Sequence, residues 1–226
     1  ISNAPGSDYV QTPEVYDPKT GNWSQLSGAT WNTPNYPNMY TLPDGRLLMA
    51  GASEINAVAE TLNVATQTWT AVDPTMVSGG ASVMFQPGKF LKVGTPADSG
   101  GSSNASATAY VLDMTQATPR WQQTGSMAYP RAFMNLTALP DGTVLVTGGG
   151  KDTSGTNLAN AVLPAELWSP ATGAWTTLAA MQNGRLYHST ALLLPDARVL
   201  ISGGGADPWD AATDENNAEL YSPPYL

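Results

Sequence analysis

The chain has 226 residues, of which 12% are charged, and its formal net charge at pH 7 is −9. Its few lysine and arginine residues are scattered and no apolar run is long enough for a membrane helix, so we expect neither nucleic acid nor a membrane as partner. The absence of cysteine excludes disulfides and thiolate chemistry within the chain. Its 22 glycines and 18 prolines favour frequent turns and an all-β fold.

A first sequence element, a Glu-led strand pattern ending in tryptophan, recurs along the chain. Its copies are 14–23, 60–69, a degenerate version at 110–121, 166–175 and an unfinished copy that starts at Glu219. The tryptophans follow one another at intervals of about 50 residues, which is the length of a kelch repeat. We interpret these indoles as packing between neighbouring repeats, since each buries a large apolar area.

A second element lies between the copies of the first and carries a Leu-Pro-Asp-Gly bend. It is found at 40–51, 137–150 and 190–205, with a weaker version at 82–94, and Ala197 replaces the glycine in the third copy. Proline followed by Asp-Gly is typical of a tight turn, and the flanking Leu and β-branched residues are typical of strands. Each copy therefore predicts a β-hairpin.

Together the two elements predict a four-stranded antiparallel meander, which is one blade of a kelch-type β-propeller. The predicted boundaries are a partial blade at 8–25, full blades at 36–72, 82–123 and 131–177, and a blade lacking its outer strand at 187–222. The partial blade brings two strands, so it cannot complete the last blade without a surplus. We therefore expect about four blades of a seven-bladed ring that is incomplete at both ends.

One local stretch, from Asn183 to Asp196, is unusual for a generic kelch repeat. It contains His188, the single histidine of the chain, directly after Tyr187 and at the predicted start of an inner strand. Imidazole and phenolate together suit Cu(II). A lone histidine is also consistent with a hydrogen-bonded core residue, and that alternative stays open here.

This stretch resembles the galactose oxidase and glyoxal oxidase family of copper radical oxidases, in which Arg-x-Tyr-His-Ser precedes an apolar run and a Leu-Pro-Asp bend. The segments 129–133 and 218–226 resemble the family as well. The resemblance implies that His188 is an equatorial copper ligand and that Tyr187 is both the axial ligand and the catalytic acceptor of the alcohol proton. It also implies that Phe133 lines the substrate pocket, although a core aromatic is an equally good interpretation of Phe133.

The resemblance further implies a secreted enzyme that oxidises a primary alcohol or aldehyde, related to carbohydrates, with O2 and produces H2O2. Such enzymes need a second tyrosine cross-linked to cysteine and a second histidine. We expect these outside this chain, together with the missing blades and a C-terminal β-sandwich, so this chain alone lacks the full site. Residues 3–6 offer no tryptophan where galactose oxidase has one, and Tyr36-Pro37-Asn38 offers no arginine.

The alternative interpretation is a non-catalytic propeller that binds glycans or protein partners. Loops 97–106 and 207–217 are the candidate binding loops for that role. Copper spectroscopy of the full-length protein distinguishes the two interpretations.

Overall fold

The computed structural model describes residues 10–32, 34–96, 103–204 and 214–226. These residues form five antiparallel sheets that follow one another along the chain. Sheet 1 consists of β1 (Glu14–Asp17) and β2 (Asn22–Gln25), followed by a 3-10 helix at Ser27–Ala29. Sheet 2 consists of β3 (Pro37–Thr41), β4 (Leu47–Ala52), β5 (Ala59–Asn63) and β6 (Thr68–Asp73).

The next three sheets repeat the same up-and-down order. Sheet 3 consists of β7 (Ala81–Gln86), β8 (Lys89–Val93), β9 (Ala109–Asp113) and β10 (Gln122–Gln123). Sheet 4 consists of β11 (Ala132–Ala138), β12 (Val144–Gly150), β13 (Pro164–Trp168) and β14 (Trp175–Ala180), with a 3-10 helix at Leu158–Asn160. Sheet 5 consists of β15 (Thr190–Leu193), β16 (Val199–Ser202) and β17 (Ala218–Tyr221).

The bends between the first two strands of sheets 2, 4 and 5 share one hydrogen-bonding pattern. In sheet 2 the Leu42 amide donates to the Arg46 carbonyl at 2.8 Å, and the Gly45 amide donates to the Leu42 carbonyl at 2.9 Å. Gly45 has a φ of +85°, a left-handed conformation that glycine adopts without steric cost. Ala197 adopts the same left-handed conformation, with a φ of +66°, in sheet 5.

The core lies between neighbouring sheets. Phe90 and Leu112 of sheet 3 pack with Leu48 of sheet 2, and Leu91 of sheet 3 packs with Val146 of sheet 4. Strand β12 is buried along its whole length because other strands or sheets cover it on both faces. This face-to-face packing of successive meanders is the arrangement of a β-propeller, and it confirms the predicted fold class.

Two features differ from the sequence-based picture of the strands. Tyr187 and His188 lie in a turn ahead of the inner strand, because β15 begins only at Thr190. Trp23 does not pack between neighbouring repeats as predicted, since it is 67% exposed. The indoles of Trp69 and Trp175, by contrast, donate to the carbonyls of Ala29 and Gly125 at 2.9 and 2.7 Å.

Among the described residues, no helix is both long and apolar enough to cross a membrane.

Candidate functional site

A cavity of about 210 Å³ opens at the ends of the sheets where the first strands begin. Tyr36 and Glu54 of sheet 2 line it, together with Gly80 ahead of β7, Phe133 of sheet 4, and Tyr187 and His188 ahead of β15. The cavity therefore collects side chains from residues that are far apart in the sequence. All three predicted site residues, Tyr187, His188 and Phe133, lie in its wall.

Three of these residues have a left-handed backbone. The φ angles of Tyr36, Phe133 and His188 are +49°, +59° and +62°. Residues other than glycine adopt this region at a cost of about 1 kcal/mol or more, and such strain is concentrated at functional sites. The surrounding sheets must stabilise these conformations, which turn the three side chains into the cavity.

Tyr187 and His188 lie side by side rather than on opposite sides of the chain. Their ring centroids are 3.7 Å apart with an interplanar angle of 27°, so the rings are stacked. A turn produces this arrangement, because the Ser189 amide donates to the Leu186 carbonyl at 3.1 Å ahead of β15. Imidazole and phenol therefore face the same cavity.

Tyr36 is a third polar ring in the cavity and was missed by the sequence analysis. Its phenol oxygen lies 3.3 Å from that of Tyr187, and the two hydroxyls share a hydrogen bond. A sequence signal for it exists, since Tyr36 precedes Asp44 of its bend by the same spacing by which His188 precedes Asp196.

Phe133 forms one wall against Tyr187. The two ring centroids are 5.0 Å apart with an interplanar angle of 66°, an edge-to-face contact. Aromatic pairs prefer this geometry because of the ring quadrupoles. The contact places an apolar surface beside the Tyr187 phenol.

The cavity also contains a carboxylate. Glu54 is half-buried, and the Asn35 side-chain amide donates to its Oε2 atom at 3.0 Å. The pKa of Tyr187 is raised well above its ordinary value, first by burial, then by the hydrogen bond with Tyr36 and by the negative charge of Glu54. In the absence of a cation, the Tyr187 phenol therefore holds its proton firmly.

Buried arginines position the loops that precede the inner strands of sheets 4 and 5. Arg131 is fully buried and its Nη2 atom lies 2.9 Å from Oε2 of Glu166, itself fully buried. Glu166 also accepts from the Ala128 amide at 2.6 Å. Arg185 likewise contacts Glu219 at 3.2 Å, and its carbonyl accepts from the Gly149 amide at 2.7 Å.

The Arg185 contacts bear directly on the site. They fix the backbone just ahead of Tyr187 and His188 to both sheet 5 and sheet 4. The Asn135 side-chain amide adds a further link, donating to the Ser189 hydroxyl at 2.9 Å. The orientation of the two rings is therefore set by buried polar contacts on both sides of the turn.

The donor atoms of the cavity fit a copper ion. Among the described residues no cluster of three or more His, Cys, Asp or Glu side chains is found, and the donors in the cavity wall are one imidazole, two phenols and the Glu54 carboxylate. Imidazole and anionic oxygen ligands suit Cu(II). Two oxygens bound to neighbouring positions of one first-row metal ion lie about 3 Å apart, close to the 3.3 Å between the Tyr36 and Tyr187 hydroxyls.

Several proteins are similar to this chain in sequence or in fold. A family model described as "Glyoxal oxidase N-terminus" matches residues 62–225. A galactose oxidase of Gibberella zeae is 26% identical over 98% of this chain and 36% of its own length. An aldehyde oxidase of Vitis pseudoreticulata is 28% identical over 98% of this chain and 47% of its own length.

A solved structure of a fungal alcohol oxidase in complex with copper is also similar. It superposes with a TM-score of 0.78 at 25% identity, over 95% of this chain and 48% of the oxidase chain. The chain thus spans less than half the length of these relatives.

The fold and the comparisons show a β-propeller similar to those of the galactose oxidase and of the copper-containing alcohol oxidase. More specifically, the chain belongs to the glyoxal oxidase family, matching its N-terminal region. The resemblance on which the sequence analysis relied is therefore confirmed.

Some sequence expectations fall outside the described residues. They include residues 3–6, the first two residues of the partial blade 8–25, and loop residues 97–102 and 207–213. A cross-linking cysteine is absent from the chain, and His188 is its single histidine. The expectations about these residues, and about a cysteine and a second histidine outside this chain, therefore remain predictions.

Proposed function

We propose that this chain supplies part of the copper site of a secreted oxidase that acts on a primary alcohol or aldehyde related to carbohydrates. The observation that carries the proposal is the convergence of Tyr36, Tyr187 and His188 on one cavity. The family membership and the copper-containing structural relative support it. Secretion stays a prediction that follows from the family resemblance.

His188, Tyr187 and Tyr36 are the residues that would hold the ion. When bound, copper would supply the one-electron redox chemistry that the side chains lack. The sequence analysis expected the second tyrosine outside the chain, and we propose Tyr36 for that role because it shares a hydrogen bond with Tyr187. The cysteine that would cross-link to it, and a second histidine, must then come from other parts of the parent protein.

In the proposed reaction, R–CH2OH and O2 give R–CHO and H2O2, so the alcohol is oxidised by two electrons and O2 is reduced by two. Tyr187 accepts the hydroxyl proton as the substrate binds. Tyr187 can accept this proton only as a phenolate, the form in which it would hold the copper ion, because burial and the neighbouring Tyr36 and Glu54 raise its pKa and keep it protonated in the metal-free site. Phe133 orients the carbon skeleton through its apolar face beside Tyr187.

We propose that further blades and a C-terminal β-sandwich of the parent protein complete the site. The coverage of less than half of each of these relatives supports this proposal. A small alcohol, aldehyde or sugar would be the substrate.

The proposal is tested on the full-length protein loaded with Cu(II). We expect a Cu(II) electron paramagnetic resonance signal and peroxide release with primary alcohols or aldehydes. His188→Ala should lower Cu(II) affinity, Tyr187→Phe should lower kcat more than Cu(II) affinity, and Phe133→Ala should raise KM with Cu(II) affinity unchanged. Tyr16→Phe, at an exposed site outside the cavity, is the matched control.

Two outcomes contradict the proposal. Cu(II) affinity that is the same in His188→Ala and in the unaltered protein would exclude the site. Stoichiometric Cu(II) without peroxide from any primary alcohol or aldehyde would favour the binding propeller instead.

A further inference from the structure

A second concave site lies far from the cavity just described. A groove of about 500 Å³ opens between sheets 3 and 4. Strand β7 connects the two places, since it begins next to Gly80 of the cavity and ends at Gln86 of the groove. Six residues of extended strand span about 17 Å, so the groove lies at the opposite end of strand β7 from the cavity.

The groove exists because sheet 3 is narrow at its outer edge. Its outer strand β10 has two residues, whereas the outer strands β6 and β14 have six each. The side chain of Gln122 therefore stands at the rim rather than in a long ladder.

The groove is lined by neutral polar groups. The side-chain amides of Gln86 and Gln122 line it, and within the described chain neither of these two amides is hydrogen-bonded. Lys89 and Asp113 lie 3.8 Å apart in its wall and compensate each other's charge. Each amide offers both donors and an acceptor, which is the complement of a sugar hydroxyl.

Trp168 lines the groove and carries a donor without a partner. Its side chain is 2% exposed, and its indole Nε1 has no hydrogen-bond acceptor among the described residues. This differs from Trp69 and Trp175, whose indoles donate to backbone carbonyls. A buried donor left unsatisfied costs about 1–3 kcal/mol, so a ligand oxygen that reached Nε1 after a shift of the surrounding side chains would be stabilised there.

The repeat position of Trp168 is occupied by leucine in sheets 2 and 3 and by a tyrosine, Tyr221, in sheet 5. The strand register places Trp168 opposite Val144, and the equivalent residues of sheets 2 and 3 are Leu62 and Leu112. Leucine fills the same interior position without introducing a polar atom. The indole also packs edge-on against Phe85, with centroids 4.9 Å apart, and Phe85 adds an aromatic surface to the groove.

We propose that this groove is a binding site for a neutral saccharide unit, separate from the oxidase cavity. The glutamine amides bind the sugar hydroxyls, one hydroxyl oxygen accepts from Trp168 Nε1, and the apolar sugar face packs on Phe85. Small-ligand sites of about 300–1,000 Å³ with apolar walls and a few convergent polar groups are typical. The absence of a net charge in the wall favours a neutral sugar over a uronic acid or an amino sugar.

The experiment is isothermal titration calorimetry of the full-length, copper-free protein with glucose, galactose, xylose, cellobiose and lactose. We expect saturable binding of at least one of them. The variant Gln122→Ala, at an exposed position that leaves the core untouched, should weaken it about tenfold, the loss of one or two hydrogen bonds. Trp168→Phe should weaken it as well while keeping most of the packing.

Two controls separate this site from the rest of the molecule. Gln182→Ala removes an exposed glutamine outside the groove, and Tyr187→Phe alters the oxidase cavity; both should bind with unchanged affinity. Because the protein is copper-free, failure of the oxidase proposal does not affect the result. No saturable binding of any of the five sugars, or equal weakening by Gln182→Ala, overturns the proposal, and a thermal melt confirms that each variant is folded.

Discussion

The hydroxyl oxygens of Tyr36 and Tyr187 lie 3.3 Å apart although the residues are separated by 151 positions in the chain. Tyr36 precedes the first strand of sheet 2, and Tyr187 precedes that of sheet 5. Their contact therefore depends on the mutual arrangement of four successive sheets. A shift of sheet 2 relative to sheet 5 would therefore change the distance between the two hydroxyls and weaken their hydrogen bond.

Tyr36→Phe is expected to lower the pKa of Tyr187. Burial is the largest cause of the raised pKa and remains in the variant, but the hydrogen bond with Tyr36 is lost. NMR titration of ring-labelled tyrosine in the copper-free protein measures the shift. Tyr16→Phe should leave the Tyr187 pKa unchanged, and a Tyr187 pKa that rises in Tyr36→Phe contradicts the prediction.

Lys92→Met is expected to remove a pH dependence of stability. Lys92 is 1% exposed, donates to the Val77 carbonyl at 3.1 Å, and burial lowers its pKa to about 8. Between that value and the ordinary lysine pKa of about 10.4, the unfolded chain binds the proton and the folded chain does not, so the free energy of unfolding rises with pH by up to about 3 kcal/mol.

Denaturant unfolding at several pH values in this window tests the Lys92 prediction. The rise should be smaller in Lys92→Met and retained in Lys19→Met, which changes an exposed lysine. An identical pH profile in Lys92→Met and the unaltered protein rules out the buried amine as the cause.

Arg131→Ala is expected to destabilise the fold by about 3–5 kcal/mol, since it leaves the buried Glu166 carboxylate without its cation. Arg46→Ala provides a matched control, because Arg46 and Asp44 form an exposed pair 2.7 Å apart. Exposed pairs contribute about 1 kcal/mol or less. Chemical denaturation measures both, and equal effects of the two variants disprove the assignment.

Ala197→Gly is expected to stabilise the protein by about 1 kcal/mol. Ala197 has a φ of +66° in a bend where Gly45 and Gly142 occupy the equivalent positions, each with a φ of +85°. Glycine accepts this conformation, whereas the Cβ of alanine opposes it. The reverse change Gly142→Ala should lower the melting temperature, and a higher melting temperature in Gly142→Ala contradicts this explanation.

The sequence predicted the sheets because their signals are local. The Pro43-Asp44-Gly45 bend and its copies identify hairpins without knowledge of the rest of the chain. The pairing of Tyr187 with His188 was also predictable, since the residues are adjacent and a turn ahead of β15 brings their rings together.

Tyr36 and Glu54 were harder to predict because their role depends on long-range packing. The spacing of Tyr36 from Asp44 is a signal that appears only when the repeats are aligned, and Glu54 follows β4 in a stretch without a repeat signature. Only the curvature of successive sheets around the cavity makes them neighbours of Tyr187. Local sequence patterns can therefore predict the residues that each sheet contributes to the cavity. They cannot predict which residues of different sheets come into contact there.

Gly80 has a consequence for how the oxidase cavity can change. It lies ahead of β7, at the place where the neighbouring sheets present Tyr36 and Phe133, and a Cβ at Gly80 would collide with the Thr95 carbonyl oxygen. Sheet 3 therefore presents backbone rather than a side chain at this point of the cavity wall, and a larger residue at position 80 would displace the Thr95 carbonyl instead of narrowing the cavity. The shape of the cavity is consequently set by the side chains of sheets 2, 4 and 5.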